Sequence, residues 1–189
     1  MKRETYESIL ANYENELARQ DTLHSTGSVG KLAEVLIRND MMKRGISKAA
    51  DVRCRSAVKA DLRLGNSTRV EIKTGSGAVA YGYNLTVEDL TADPDRICAG
   101  AQVVIWAPFP KALQVGHGSY NKAAAWVFTH EQFIETLEAI GKNGLRSSLK
   151  VSKGGAQVNI QTITPRMEDR LWDILENIPT LEDFMEDRT

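Results

Sequence analysis

The segment KADLRLGNSTRVEIKTG contains three side chains whose chemistry suits the hydrolysis of a phosphate ester. Asp61 and Glu71 are acids, and Lys73 follows the second acid after one intervening residue. A hard divalent cation such as Mg2+ takes one or two carboxylates and completes its shell with waters and phosphate oxygens. An ammonium group beside such a cation can orient or deprotonate the water that the cation binds. These residue types therefore predict a phosphodiester hydrolysis site, provided that the fold brings them together.

Hydrophobic alternation on both sides of a turn predicts how these residues meet. With the turn at residues 65–67, Leu62 faces Val70 and Asp61 faces Glu71 across an antiparallel strand pair. All the apolar residues of both runs then lie on one face of the hairpin, and the charged residues lie on the other. A slip of one residue would mix the two faces, so this register is the expected one.

Carboxylates directly opposite each other on paired strands repel, and this repulsion costs stability. Neighbouring Lys and Arg side chains could share the charge, one acid could stay protonated, or a divalent cation could lie between the acids. A further interpretation is that this face of the hairpin is an ordinary solvent-exposed surface with no binding site, since strand faces with charges of both signs are common. The residue types alone leave these alternatives open.

Periodicity predicts the elements that must position the hairpin. Helices are predicted for residues 4–20, 28–44, 130–141 and 165–178. Strands are predicted for residues 51–58, 60–64, 69–74, 101–108, 123–129 and 156–164. Loops are predicted for residues 110–122 and 141–155, and an acidic tail for residues 180–189. The element order predicts an α/β fold, a single domain with a central mixed β-sheet flanked by helices.

Several side chains are expected to be buried. In the second helix the residues predicted to face inward are Val29, Leu32, Leu36 and Ile37. The three tryptophans, Trp106, Trp126 and Trp172, lie in apolar runs and are expected in the core. The residues Cys54, Cys98, His24, His117 and His130 show no metal-ligand spacing, so they are expected to be reduced thiols and structural or surface histidines.

An aspartate, a spacer of about ten residues bridging a hairpin, and a Glu-x-Lys triplet resemble the core motif of the PD-(D/E)XK nuclease superfamily. Here the motif reads Asp61 followed by VEIKT, which holds Glu71 and Lys73. The family usually adds a glutamate on a preceding helix, and Glu34 in GSVGKLAEVLIRND fits that place. The later strand and strand–helix segments look like the second half of that fold, so the resemblance covers about residues 25–141. One departure is that Lys-Ala, and not Pro, precedes the aspartate.

The resemblance implies a restriction-endonuclease-like core and a metal-dependent reaction. Asp61 and Glu71, joined by the backbone carbonyl of Ile72, would bind Mg2+ or Mn2+. Glu34 would hold a second metal ion or a water, and Lys73 would act on the nucleophilic water. The implied activity is hydrolysis of DNA phosphodiesters by an endonuclease of restriction, repair or phage type. The implied layout is a single domain over residues 1–189, with a helical segment at 1–25, a nuclease-like core at about 26–164 and a C-terminal helix with an acidic tail at 165–189.

The charge distribution also suggests a polyanionic partner, expected to be DNA. The chain of 189 residues has a net charge of −1, but residues 38–73 hold ten Lys and Arg against four Asp and Glu. Residues 165–189 hold three basic residues against eight acids. A basic middle between acidic ends suits a face that meets phosphates, although such runs also occur on ordinary solvated surfaces. The basic groups expected to contact phosphates are Arg38, Lys43, Arg53, Arg55 and the loop at 142–153.

Composition predicts the compartment, and it leaves a second function open. Two cysteines, a charged N-terminal segment and no apolar run of membrane-spanning length predict a cytoplasmic protein with no membrane partner.

Cleavage of both DNA strands by one site per chain would favour a homodimer. The alternative is a catalytically silent nuclease-fold module that binds nucleic acid or a host-defence protein, with the acidic tail as a contact surface. The presence of all four candidate groups favours activity, because a binding module has no need to keep them.

Overall fold

The computed structural model describes part of the chain. The described residues are 3–5, 7–8, 11–12, 26–47, 60–65, 68–74, 86–115, 118–141, 149–152, 155–158 and 165–188. The strand predicted at 51–58, most of the first predicted helix, and the residues His24, Cys54, Arg53, Arg55 and His117 lie outside these ranges.

Helices and strands alternate along the described chain. The α-helices are α1 (Thr26–Lys43), α2 (Val87–Ala92), α3 (Pro110–Leu113), α4 (His130–Ile140), α5 (Pro165–Leu175) and α6 (Leu181–Glu186). The strands are β1 (Leu62–Leu64), β2 (Thr68–Thr74), β3 (Val103–Ala107), β4 (Trp126–Thr129), β5 (Leu149–Ser152) and β6 (Gly155–Val158). Short 3-10 turns cover Pro94–Arg96 and Lys122–Ala124, and residues 3–5, 7–8 and 11–12 are helical.

A four-stranded mixed sheet with the order β1-β2-β3-β4 lies at the centre of the fold. β1 is antiparallel to β2, β2 is parallel to β3, and β3 is antiparallel to β4. The strands β5 and β6 form a separate antiparallel pair that contacts α2. The predicted α/β class with a mixed sheet and flanking helices is therefore confirmed.

The hydrophobic core joins the C-terminal helices to the sheet. Trp106, Trp126 and Trp172 are buried, as predicted, and Phe109 stacks on Trp172 with ring centroids 5.2 Å apart. β3 is buried along nearly its whole length because it has a paired strand on each side. Thr129 and Gln132 form the predicted capping box at the start of α4. Among the described residues, no helix is both long enough and apolar enough to cross a lipid bilayer.

The C-terminal segment is folded against the sheet, which corrects its prediction as an acidic tail. Thr180 caps α6, and Leu181 and Met185 are buried in the core. The Val127 N–H donates to the Pro179 carbonyl at 2.9 Å, and the Leu181 N–H donates to the Ala125 carbonyl at 2.8 Å. The acidic side chains at this end of the chain therefore lie next to buried apolar residues, which a count of charges could not reveal. The helix before it also ends earlier than predicted, at Leu175.

Three other local predictions were wrong. Residues 110–122 contain α3 and the start of a 3-10 turn instead of only loop, because Pro110 can begin a helix with its fixed φ. The predicted loop at 141–155 contains β5, which pairs with β6. Leu32 was expected to face inward, but its side chain is 42% exposed. Ile37 is buried as predicted, and Ala33 and Met41 complete the buried stripe of α1.

Helix α1 approaches β2 closely at a glycine. A Cβ built on Gly30 would lie 2.7 Å from the Thr74 Oγ1, which is closer than any normal contact. Gly30 therefore allows the helix to lie directly over the end of the strand that carries the Glu-x-Lys triplet.

We expect Gly30→Ala to destabilise the protein by about 1–3 kcal/mol because the added methyl group overpacks this contact. Alanine in an unobstructed helix interior would instead stabilise by about 1 kcal/mol relative to glycine. The measurement is the free energy of unfolding from urea denaturation. Thr74→Ala removes the obstructing oxygen, so the double variant should recover most of the loss. A Gly30→Ala protein as stable as the wild type would contradict the close approach.

Candidate functional site

The hairpin has the register that its sequence predicts. Leu62 pairs with Val70 and Leu64 pairs with Thr68. The apolar side chains Leu62, Leu64, Val70 and Ile72 are buried together, and Gly65 begins the turn with a φ of 56°. The alternation of buried and half-buried residues along both strands places the acids on the other side of the hairpin from this apolar set.

Asp61 lies at the end of the hairpin, one residue before β1, and its carboxylate completes the hydrogen bonding of β2. Its backbone N–H donates to the Val70 carbonyl at 2.9 Å, and its Oδ2 accepts the Ile72 N–H at 2.7 Å. The N–H and C=O of one strand residue point to the same side of the strand. The Ile72 carbonyl is therefore directed to the edge of β2 at which the Asp61 carboxylate lies.

Glu71 and Lys73 form an ion pair on β2, with each side chain only 17% exposed. Burial raises the pKa of the Glu71 carboxyl above its ordinary value of 4.5. The charges of Asp61 and Glu34 raise it further, and Lys73 opposes them. Burial, the largest single cause, lowers the pKa of Lys73, but the charge of Glu71, its hydrogen bond to the lysine and smaller contributions from Cys98 and Asp61 together outweigh burial, and the net pKa is above 10.5. The lysine is therefore an ammonium ion at neutral pH.

Helix α1 brings Glu34 to the same region through an arginine that lies one turn later. Arg38 Nη2 donates to Glu34 Oε1 at 2.7 Å and to the Asp61 carbonyl at 3.3 Å. The two side chains of this pair are 15% and 20% exposed, for Glu34 and Arg38 respectively. Arg38, predicted to contact phosphates, thus ties the helix to the start of β1.

The fold also brings in a residue that the sequence did not single out as part of the site. Cys98 lies in the loop before β3, in a left-handed backbone conformation with a φ of 52°. Burial raises the pKa of its thiol to about 12, and the charges of Lys73, Glu71 and Asp61 also act on it. The thiol is therefore neutral and lies beside the acids and the lysine. No spacing along the chain could have revealed this, because the parallel crossover between β2 and β3 sets the position of the loop.

The four predicted site residues thus lie in one region, but the carboxylates of the three acids already have contacts within the protein. Glu34 is paired with Arg38, Glu71 with Lys73, and Asp61 with the Ile72 N–H. Within the described ranges, no group of three or more His, Cys, Asp or Glu side chains is arranged to hold a metal ion. We refer to Glu34, Asp61, Glu71 and Lys73 below as the acidic cluster.

A second polar cluster ties the far side of α1 to the loop before β4. Lys122 Nζ and Arg44 Nε contact the Asp40 carboxylate at 3.2 Å and 3.3 Å, and the Tyr120 hydroxyl donates to it at 3.1 Å. Burial raises the pKa of Asp40, but these partners outweigh burial and the net pKa is below 3.8. The adjoining pocket has a volume of about 220 Å³. The carboxylate already has three partners, so this cluster is explained by its role in holding the loop on α1.

Comparison with protein-family models, with curated proteins and with solved structures gives no match to this chain. The functional interpretation therefore depends on the geometry described above and on the motif in the sequence.

We expect the pKa of Glu71 to fall in Asp61→Asn. The substitution removes one of the charges that raise this pKa, and the amide oxygen can still accept the Ile72 N–H. The measurement is a 13C NMR titration of the Glu71 carboxyl carbon, with Asp95→Asn, at an exposed position, as the matched control. A Glu71 pKa that responds equally to both substitutions would show that Asp61 and Glu71 do not share a site.

Proposed function

We propose that this protein is a metal-dependent nuclease of the PD-(D/E)XK type, built on a restriction-endonuclease-like core and acting on DNA. The observation that supports this most strongly is the electrostatic coupling within the acidic cluster. Asp61 and Glu34 both raise the pKa of Glu71, and Lys73 is paired with it. Acids held close together in a half-buried region create a strong preference for a cation.

The donor chemistry of the acidic cluster fits Mg2+ or Mn2+. Asp61, Glu71 and the Ile72 carbonyl would hold the ion, because all three supply oxygen and a hard cation needs only one or two carboxylates from the protein. Glu34 would hold a second ion or a water after release from Arg38. A bound ion would polarise the scissile phosphate and lower the pKa of a bound water.

Lys73 has a role that follows from its own charge. As an ammonium ion it can donate hydrogen bonds to the attacking water or to a phosphate oxygen, but it cannot accept a proton. Of the two roles that the motif implies, the charged form in the metal-free protein suits the one that orients the water. The ion pair with Glu71 keeps the lysine charged and directs it toward the acids.

Cleavage of both strands of a duplex would need two such sites. Each chain carries one acidic cluster among its described residues, so we propose that a homodimer is the form that makes double-strand breaks. The basic segment at 38–73 would supply contacts to the phosphate backbone.

A catalytically silent binding module is the second candidate. Two contacts favour it: Glu34 is neutralised by Arg38, and Glu71 is neutralised by Lys73. Such pairs can hold a fold together without any metal ion, and the chain would then bind nucleic acid or a host-defence protein without cutting.

We expect the wild type to cut plasmid DNA in Mg2+ or Mn2+ and to be inactive in EDTA. Glu71→Ala and Lys73→Ala should each lower the cleavage rate by at least about 100-fold, since they remove a metal ligand and the group that orients the water. The readout is the conversion of supercoiled plasmid to nicked and linear forms on a gel.

Glu88→Ala and Lys111→Ala serve as matched controls, because both residues are exposed and lie outside the acidic cluster. Cutting that survives both cluster substitutions would exclude the proposed site. A wild type that binds DNA but cuts neither DNA nor RNA in either metal would favour the silent module.

A further inference from the structure

Two arginines face each other across the hairpin, next to the acidic cluster. Arg63 on β1 pairs directly with Arg69 on β2 in the observed register. Like charges in directly opposed positions of an antiparallel pair repel, so this arrangement is unfavourable without a counter-charge. Asp61 and Glu71 each lie two residues from this pair along the chain, towards the open end of the hairpin.

The described part of the protein supplies no acid to this pair. Neither guanidinium has an ion pair with a described carboxylate, whereas Arg3, Arg38, Arg44 and Arg96 each have one. The Arg63 Nε is buried and makes no hydrogen bond to any described group. Two half-buried arginines therefore lie opposite each other on the strands, and the N–H donors of their guanidinium groups are not all hydrogen-bonded.

The loop before β3 packs beside Arg69. The neighbouring loop contributes Gly100, whose φ of 102° favours glycine, and a Cβ there would lie 3.9 Å from the Arg69 guanidinium. The Arg69 N–H is bonded to the Gln102 side chain and the Gln102 N–H to the Arg69 carbonyl, so the backbone under the guanidinium is fixed. A rigid support of this kind suits a binding group, because little freedom is lost on binding.

From this arrangement we infer that Arg63 and Arg69 together bind one backbone phosphate of the nucleic acid that the acidic cluster acts on. A guanidinium presents a planar fork of donors that matches a phosphate, and two of them can share its charge. Residues 69 and 71 are two positions apart on one strand, which is about 7 Å. For a nucleic-acid strand that lies along the hairpin, the bound phosphate is therefore a near neighbour of the scissile one.

This inference rests on the proposed function for the identity of the ligand, and a binding experiment without cleavage tests it separately. The probe is a fluorescein-labelled DNA duplex in EDTA, with the dissociation constant measured by fluorescence anisotropy between low and moderate salt. The variants are Arg63→Gln, Arg69→Gln and the double variant. Arg166→Gln, at an exposed position on α5, is the matched control.

Each single variant should weaken binding about tenfold and leave the slope of log K against log salt unchanged, because the remaining arginine still neutralises the phosphate. The double variant should reduce that slope by about 0.9, since the slope counts neutralised phosphates and both arginines hold the same one. Arg69→Lys keeps the charge without the fork and should retain the wild-type slope with weaker binding.

An unchanged dissociation constant in both single variants would overturn the inference, and so would a wild type that does not bind the duplex. A slope that falls by about 0.9 in each single variant and by about twice that in the double variant would also overturn it, because the arginines would then hold separate phosphates. If Arg63→Gln fails to fold by circular dichroism, Arg69→Gln and Arg69→Lys carry the test. A wild type that needs both arginines for binding but never cuts would refute the proposed nuclease activity and leave the phosphate site intact.

Discussion

The whole candidate site depends on the register of one hairpin. Burial of Leu62 and Val70 on the core side fixes that register, because a slip of one residue would expose the apolar set and bury the charged one. Once the apolar side is fixed, the positions of the charged residues follow. Asp61 must lie next to the 71–72 peptide, and the two arginines must face each other at the adjacent position. Core packing thus keeps like charges close together on the hairpin, although their mutual repulsion alone would separate them.

The fold offsets this repulsion with ion pairs at the edge of the core. Lys73 pairs with Glu71, and Arg38 links Glu34 to the backbone of Asp61. Both pairs are mostly shielded from solvent, where charges interact strongly but lose hydration. The pairs hold the acids close together. Binding of a cation would exchange these internal contacts for metal contacts, so the same residues contribute to the stability of the fold and to the proposed chemistry.

The hairpin could be derived from the sequence because its information is local. Period-two alternation and a Gly-Asn turn determine the pairing, and the capping box at Thr129 was equally visible. The Cys98 thiol could not be placed, since a crossover between parallel strands brings it to the acids. The contacts of Arg38 with Glu34 and Asp61 were not predicted, because charge counting does not reveal an internal ion pair. The buried face of α6 was hidden by the acidic residues around Leu181 and Met185. These features share one cause: each depends on contacts between residues that are far apart in the sequence.

The central claim is that Asp61 and Glu71 create a cation site, and direct measurement of Mn2+ binding tests it without reference to any substrate. Electron paramagnetic resonance reports free Mn2+ in a titration of the metal-free protein. We predict that the wild type takes up about one or two ions per chain and that Asp61→Asn and Glu71→Gln lose the tightest one, while Asp95→Asn behaves as the wild type. Equal Mn2+ uptake by all four proteins, or none by the wild type, would contradict the account.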